Sequence, residues 1–258
     1  MTRLSPASAA LAAAFLILPS SPLRAAEPVD LELVLAVDIS SSVSYDEYRL
    51  QMAGYTAAFR DDALVDTIRR ATPRGIAATL VQWSGTGEQW IVVGWAHVHD
   101  GASAAAFADR IEGANRAFRG SQTDIGGAVR FAAGLFADNG YLSPRQVIDV
   151  SGDGRANQGD SPAAGRDAAL ANGLTVNGLA VRSDVPTLDS YYLDNVIGGP
   201  AAFALSVDGF DDFAAAILGK LITEIAGIPI ASSNLPAYDL ASTPARKAAR
   251  LAPSDGLR

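Results

Sequence analysis

Leu31-Glu32-Leu33-Val34-Leu35-Ala36-Val37-Asp38-Ile39-Ser40-Ser41-Ser42 is the stretch on which the fold turns. Its first part, Leu31 to Val37, is a short, almost unbroken apolar run of strand length, as expected for a strand buried on both faces. It ends abruptly in oxygen-bearing side chains: Asp38, Ser40 and Ser42 alternate with Ile39 and Ser41. Ser44-Tyr45-Asp46-Glu47 follows as a Ser-x-x-Glu capping box, in which serine and glutamate satisfy each other's free backbone N–H groups. A helix is therefore predicted to begin there, with Tyr48, Met52, Tyr55 and Phe59 on one side at helical spacing.

Outward from this stretch the same alternation recurs. Ile76 to Trp83 and Gln89 to Val98 read as strands. The short Gly85 to Gly87 turn between them suits a hairpin and so an antiparallel pair. Ala102 to Asn115 reads as an alanine-rich helix, and Asp124 or Ile125 to Phe136 as another. Gln146 to Val150 is a short strand, and Pro162 to Ala171 a helix stopped by Asn172-Gly173. Leu174 to Val181 is a strand, Asp189 to Val196 a short helix, Ala201 to Val207 the last strand, and Gly209 or Phe210 to Ala226 the last helix. Strands alternating with helices imply an α/β domain with a mainly parallel sheet covered on both faces and one antiparallel edge.

In such sheets ligands bind beyond the carboxyl ends of strands, which is where Asp38, Ser40 and Ser42 fall. Carboxylate and hydroxyl oxygens are hard donors suited to Mg²⁺ or Mn²⁺, with Ca²⁺ a further option. A serine-rich turn leading into a capped helix would explain the same residues without a ligand. Two further segments alter that balance. Gly120-Ser121-Gln122-Thr123-Asp124-Ile125-Gly126-Gly127-Ala128 opens a helix, and Gly152-Asp153-Gly154 follows the Gln146 to Val150 strand. In this order the three segments resemble the metal-ion-dependent adhesion site of von Willebrand factor type A domains, over roughly Asp30 to Ala226.

That resemblance implies a Rossmann-like three-layer sandwich on a six-stranded sheet whose third strand is antiparallel. It implies cation ligands at Asp38, Ser40, Ser42, Thr123 and Asp153, some acting through water, and an open position that accepts a carboxylate from a protein partner. It implies a binding module and not an enzyme. More narrowly, Val147 to Gly154 looks like an exported bacterial subfamily whose function is uncharacterised. Two departures stand out. Gly152 replaces the family's usual threonine or serine, with a hydroxyl one place earlier at Ser151. Asp149 interrupts an apolar strand, where a carboxylate needs a partner; a neighbour of the site or an arginine would serve, and a role as metal ligand is the alternative. Asp124, Asp149, Ser151 and Arg155 are thus candidates for supporting the site or touching a partner, with Asp124 also a candidate N-cap and Arg155 a candidate surface charge.

The 258 residues carry a net charge of −8. Residues 1–26, with Arg3, an apolar Ala7 to Leu18 stretch and Ala25-Ala26, read as a signal peptide, the apolar run being too short for a membrane helix. Periplasmic or secreted location is the expectation, with no membrane span once the leader is removed. Arg3 and Arg24 are the leader's only charges, so the remainder stands at −10. That balance argues against a nucleic-acid surface. There is no cysteine, hence neither disulfide nor cysteine-linked lipid anchor. The expected division is leader 1–26, type A-like domain 27–228, and a flexible tail 229–258 rich in Pro, Ser and Ala.

His97-Val98-His99 puts two imidazoles on one strand face, read as an exposed face in the absence of a third ligand. Trp83, Trp90 and Trp95 crowd the same hairpin, as sheet-edge packing or as an aromatic patch. No Gly-x-Ser-x-Gly elbow or Gly-Lys-Ser/Thr phosphate loop is present. A metal-dependent hydrolase or phosphatase using Asp38 remains the alternative function, and a domain in which the metal only ties three loops together is a third. No oligomerisation pattern is apparent.

Overall fold

Every residue of Leu31–Asp38 and Ile76–Trp83 is buried, so both strands must be covered from two sides. A computed structural model describes residues 25–118 and 120–227. The 229–258 tail and nearly all of the leader expected at 1–26 lie outside these described residues.

The elements run β1 (Glu27–Pro28), β2 (Leu31–Asp38), α1 (Tyr45–Arg60), α2 (Asp62–Ala71), β3 (Ile76–Trp83), β4 (Gln89–Val98), α3 (Gly101–Glu112), α4 (Ile125–Gly134), β5 (Tyr141–Leu142), β6 (Gln146–Gly152), α5 (Pro162–Ala171), β7 (Thr175–Val181), α6 (Leu188–Asn195), β8 (Ala204–Val207) and α7 (Phe213–Ala226). The main sheet is six-stranded, in the order β4-β3-β2-β6-β7-β8. All its pairings are parallel except β3–β4, which places the antiparallel strand at one edge. The chain steps from β2 outward to β3 on one side and later returns to β6 on the other. The crevice between the carboxyl ends of β2 and β6 is therefore the topological switch point, where open α/β sheets bind ligands.

Alternation along β2 divides the core. Leu31, Leu33, Leu35 and Val37 pack with Tyr55, Phe59, Phe107, Phe213 and Ile217 beneath α1, α3 and α7. Val34 and Ala36 face the other way, with Ile148 and Val150 of β6, Val129 of α4 and Tyr192 of α6. Helices thus cover both faces, giving a three-layer, Rossmann-like sandwich.

Several details differ from the sequence expectations. The helix opened by Ser44 has the expected capping box with Glu47 and runs to Arg60, but a second helix that was not expected follows it. Asp61 then caps α2, its carboxylate accepting from Ala63 N at 2.8 Å. α3 stops at Glu112, short of Asn115, because Gly113 takes the C-cap. β8 begins at Ala204, not Ala201, and a 3-10 turn at Phe210–Asp212 precedes α7. A two-residue parallel pairing of β1 with β5 was not foreseen. The hairpin tryptophans separate: Trp83 is fully buried, Trp95 packs edge-on against Phe136, and Trp90 is exposed. The imidazoles are not a plain exposed face. His97 meets the Glu27 carboxylate at 2.9 Å and the Arg74 carbonyl at 2.8 Å, while His99 is half exposed.

Asp149 has a lysine partner rather than an arginine. Lys220 of α7 reaches down to Asp149 Oδ1 at 2.6 Å and to Glu224 Oε2 at 3.2 Å, with all three side chains essentially excluded from solvent. The Asp149 contact is an ion contact without hydrogen-bond alignment, since neither Asp149 oxygen has a hydrogen-bond partner. Asn177 Nδ2 donates to Glu224 Oε1 at 3.3 Å. Burial pushes the Glu224 carboxyl from 4.5 up to about 7, with Asp149 adding to the rise and Lys220 opposing it.

Lys220→Met should cost about 3–5 kcal/mol of stability in urea unfolding, because it strands buried carboxylates without their cation. The pH dependence has a defined sign. With Glu224 raised in the folded state, its contribution to stability is fully present below pH 4.5 and is lost as pH rises through about 7. Glu224→Gln should therefore flatten the urea midpoint between those values; an unchanged slope would count against this role for Glu224.

Candidate metal centre

The site is assembled from three turns at the switch point. At the end of β2 the Asp38 side chain is fully buried. Its Oδ1 accepts the Ser40 backbone N–H at 2.7 Å, which bends the chain out of the strand. Gln51 of α1 donates its side-chain amide to the Asp38 carbonyl at 3.1 Å. Arg116 then fixes the whole turn: Nη2 lies 2.7, 3.2 and 3.0 Å from the carbonyl oxygens of Ile39, Ser40 and Val43. Its guanidinium also sits 5.7 Å from the centre of the Tyr48 ring. Gly120 presses against the turn so closely that a Cβ there would fall 1.8 Å from the Ile39 carbonyl oxygen.

The second turn hangs on Ser84, just past β3. Its hydroxyl donates to the Gln122 carbonyl at 2.8 Å and accepts the Ser121 N–H at 2.9 Å, while its carbonyl accepts the Asp124 N–H at 2.9 Å. Thr123 is anchored through its backbone to Asn157, N–H to Oδ1 at 2.8 Å and carbonyl from N–H at 2.9 Å. Asp124 is committed to the scaffold. One carboxylate oxygen caps α4 by accepting Gly127 N–H, and the other accepts the Thr86 hydroxyl, both at 2.7 Å.

The third turn follows β6. Asp153, only 1% exposed, accepts the Ser42 hydroxyl on Oδ1 at 2.6 Å, and the Ser40 and Ser42 hydroxyl oxygens lie 3.1 Å apart. Thr123 Oγ1 and Ser42 Oγ both face Gly154, 3.9 and 4.0 Å from where its Cβ would stand. Asp38, Ser40, Ser42, Thr123 and Asp153 are thus drawn to one spot from three separate segments. Ser42 forms the exposed rim of this spot.

The other sequence candidates lie around it. Ser151 is buried, with its hydroxyl 3.3 Å from the Tyr55 hydroxyl. Arg155 is exposed; it covers the Tyr191 ring at 5.0 Å and donates to Thr187 Oγ1 at 2.9 Å. Asp149 belongs to the lysine cluster described above. Sequence reasoning missed Gln51, Arg116 and Tyr192. Tyr192 is fully buried under the Asp38 side of the site, and its hydroxyl has no hydrogen-bond partner. Burial, with Asp38 and Asp153 adding, holds that phenol well above 10 and hence protonated.

The electrostatics favour a hard cation. Asp38 Oδ2 and Asp153 Oδ2 are buried without any hydrogen-bond partner, a costly condition for carboxylates unless charge is supplied. Burial, and then the nearby Asp153 charge, push the Asp38 carboxyl from 3.8 up to about 7. Burial raises Asp153 too, against the Ser42 hydrogen bond. Among the described residues no three His, Asp or Glu side chains gather as a metal-binding group. The donor set here is two carboxylates and three hydroxyls. These residues fit a small dication that keeps part of its water shell.

A family model described as a protein of unknown function, DUF1194, matches residues 28–229. The chain belongs to the DUF1194 family. No curated protein matches this DUF1194 chain in sequence. Among solved structures it is similar to proximal thread matrix protein 1 from the mussel byssus, at TM-score 0.60 and 18% identity, over 78% of this chain and 49% of that one. The same mussel protein has also been solved with a zinc-occupied adhesion-site motif, at TM-score 0.54 and 18% identity, over 77% and 48% of the two chains. A von Willebrand factor type A protein from Catenulispora acidiphila matches at TM-score 0.51 and 14% identity, over 76% of this chain and 43% of that one. This DUF1194 chain therefore spans about half the length of the mussel protein. At these identities the likeness establishes the type A fold.

Mg²⁺ or Mn²⁺ at about 100 times Kd should raise the thermal midpoint of the DUF1194 domain by roughly 5–10 °C, the shift expected from about 2.7 kcal/mol of linkage in a domain of this size. Asp38→Asn should abolish the shift. Equal shifts in wild type and variant would remove Asp38 from the site.

Proposed function

We propose that this DUF1194 domain is an exported, non-enzymatic binding module that uses a Mg²⁺- or Mn²⁺-loaded site to grip an acidic group on a protein partner. The observation carrying this reading is the pair of buried aspartate oxygens, Asp38 Oδ2 and Asp153 Oδ2, left without hydrogen bonds at the switch point of the sheet. Ser40, Ser42 and Thr123 supply neutral donors beside them. Two carboxylates only balance a dication, so a bound ion would supply Lewis-acid attraction for an incoming carboxylate. The chain's own part is to hold the donors in place: Arg116 and Asp124 fix the first and second turns, and the rim at Ser42 opens to solvent.

The alternative of a metal-dependent hydrolase gains little from the surroundings. His97, near the end of β4, and His99, just past it, flank Val98, which pairs with Ile76 at the opposite end of β3 from the site. The mussel protein solved with a zinc-occupied adhesion-site motif is a byssal matrix protein, and SpaC of Lactobacillus rhamnosus GG, similar at TM-score 0.52 and 15% identity over 76% of this chain and 30% of that one, is a pilus adhesin. These neighbours support binding over turnover. Export rests on the leader-like residues 1–26 alone.

Immobilised residues 27–258 should retain an envelope protein in Mn²⁺ and release it on addition of chelator, and Asp38→Ala should retain none. A partner that stays bound in chelator, or binds the variant equally well, would show that recognition does not pass through this site.

A further inference from the structure

The Tyr192 side chain occupies a slot that two glycines keep open. It rises from α6 across β7, where a Cβ on Gly178 would come within 2.6 Å of its Cδ1. Its hydroxyl ends above Gly152 of β6, where an added Cβ would lie 2.8 Å from Tyr192 Oη and also 2.8 Å from Asp38 Oδ2. Both oxygens therefore look onto the same small space, and it is free because residue 152 has no side chain. Gly152 does not adopt a positive φ, so its backbone conformation does not demand glycine; the space does. The Tyr192 hydroxyl and Asp38 Oδ2 are both buried and both lack a hydrogen-bond partner. One is a donor and the other an acceptor, and leaving either unsatisfied costs on the order of 1–3 kcal/mol.

We propose that Tyr192 is a positioning residue for Asp38, its hydroxyl serving as the hydrogen-bond donor that fixes Asp38 Oδ2 through one bridging water in the space above Gly152. Ser40 N–H already holds Oδ1, so the tyrosine completes the orientation of the carboxylate from the opposite side. Outer hydrogen bonds of this kind set the direction and basicity of a metal-binding carboxylate. Tyr192 does not itself touch the ion or the partner. This rests on the metal-centre reading above.

The test is Mn²⁺ calorimetry on wild type, Tyr192→Phe, Gly152→Ala and the double variant, with circular dichroism to confirm the fold. Tyrosine ultraviolet difference spectra on Mn²⁺ addition give a second readout. Tyr192→Phe should weaken Mn²⁺ by about 10–100-fold and remove the tyrosine difference signal. Gly152→Ala, which puts a methyl between the two oxygens, should cause a similar loss, and the double variant should lose no more than the worse single. Wild-type affinity in Tyr192→Phe, or losses that multiply in the double variant, would overturn the assignment of Tyr192 while leaving the metal centre intact. If Tyr192→Phe does not fold, Gly152→Ala decides alone: unchanged affinity and an unchanged spectrum overturn the assignment. Absence of Mn²⁺ binding by wild type overturns both.

Discussion

Asp38 and Asp153 bring two carboxylates out of water at the carboxyl ends of neighbouring strands, and the arrangement around them is organised by that constraint. Like charges this close raise each other's affinity for protons, and burial adds to the effect. The fold answers with partial compensation only. Ser40 N–H and the Ser42 hydroxyl take one oxygen of each carboxylate, and the remaining oxygens are left facing inward. A protein that needed only to cap β2 and β6 would have little reason to keep two buried acids there. Neutral side chains would do it at lower cost.

What surrounds the pair is a frame that holds turns by their backbones. Arg116 gathers three carbonyls of the first turn, Ser84 ties the second to the end of β3, and Asp124 spends both of its oxygens on Gly127 and Thr86. Because these bonds do not involve the donor side chains, the donors are positioned before any ion arrives. The opposite half of the core carries a second polar cluster, Lys220 with Asp149 and Glu224. Its Asp149 lies on β6, the strand that leads to Asp153, so β6 bears a carboxylate in its interior and another just beyond its end. One is neutralised by a lysine of α7, and the other keeps one oxygen without a hydrogen bond.

The sheet was legible because β2 and β3 are largely apolar and the hairpin turn is short. The three site segments were legible because each is a run of small oxygen-bearing or glycine residues placed directly after a strand or before a helix. The break at Asp61 was not, since it falls inside a continuous stretch of helix-forming residues and is marked only by one capping aspartate. Lys220 reads as a surface residue on a helix until Asp149, far away in sequence, is seen beneath it. Arg116 lies in an irregular segment, and Tyr192 has the spacing of any core aromatic. Their roles depend on what the topology brings beside them. Gly152 was visible as a departure from the family pattern, but its meaning depends on a tyrosine from α6.

The Ser42–Asp153 hydrogen bond joins residues 111 positions apart, and Thr123 comes to the same spot from between them. Contacts of such long range form late, after loop closure over most of the domain has been achieved. A chain still being threaded or held unfolded carries the five donors as separate, weakly attractive oxygens. Any resident ion is therefore drawn from the compartment in which folding finishes, so the identity of that ion is set as much by geography as by coordination chemistry.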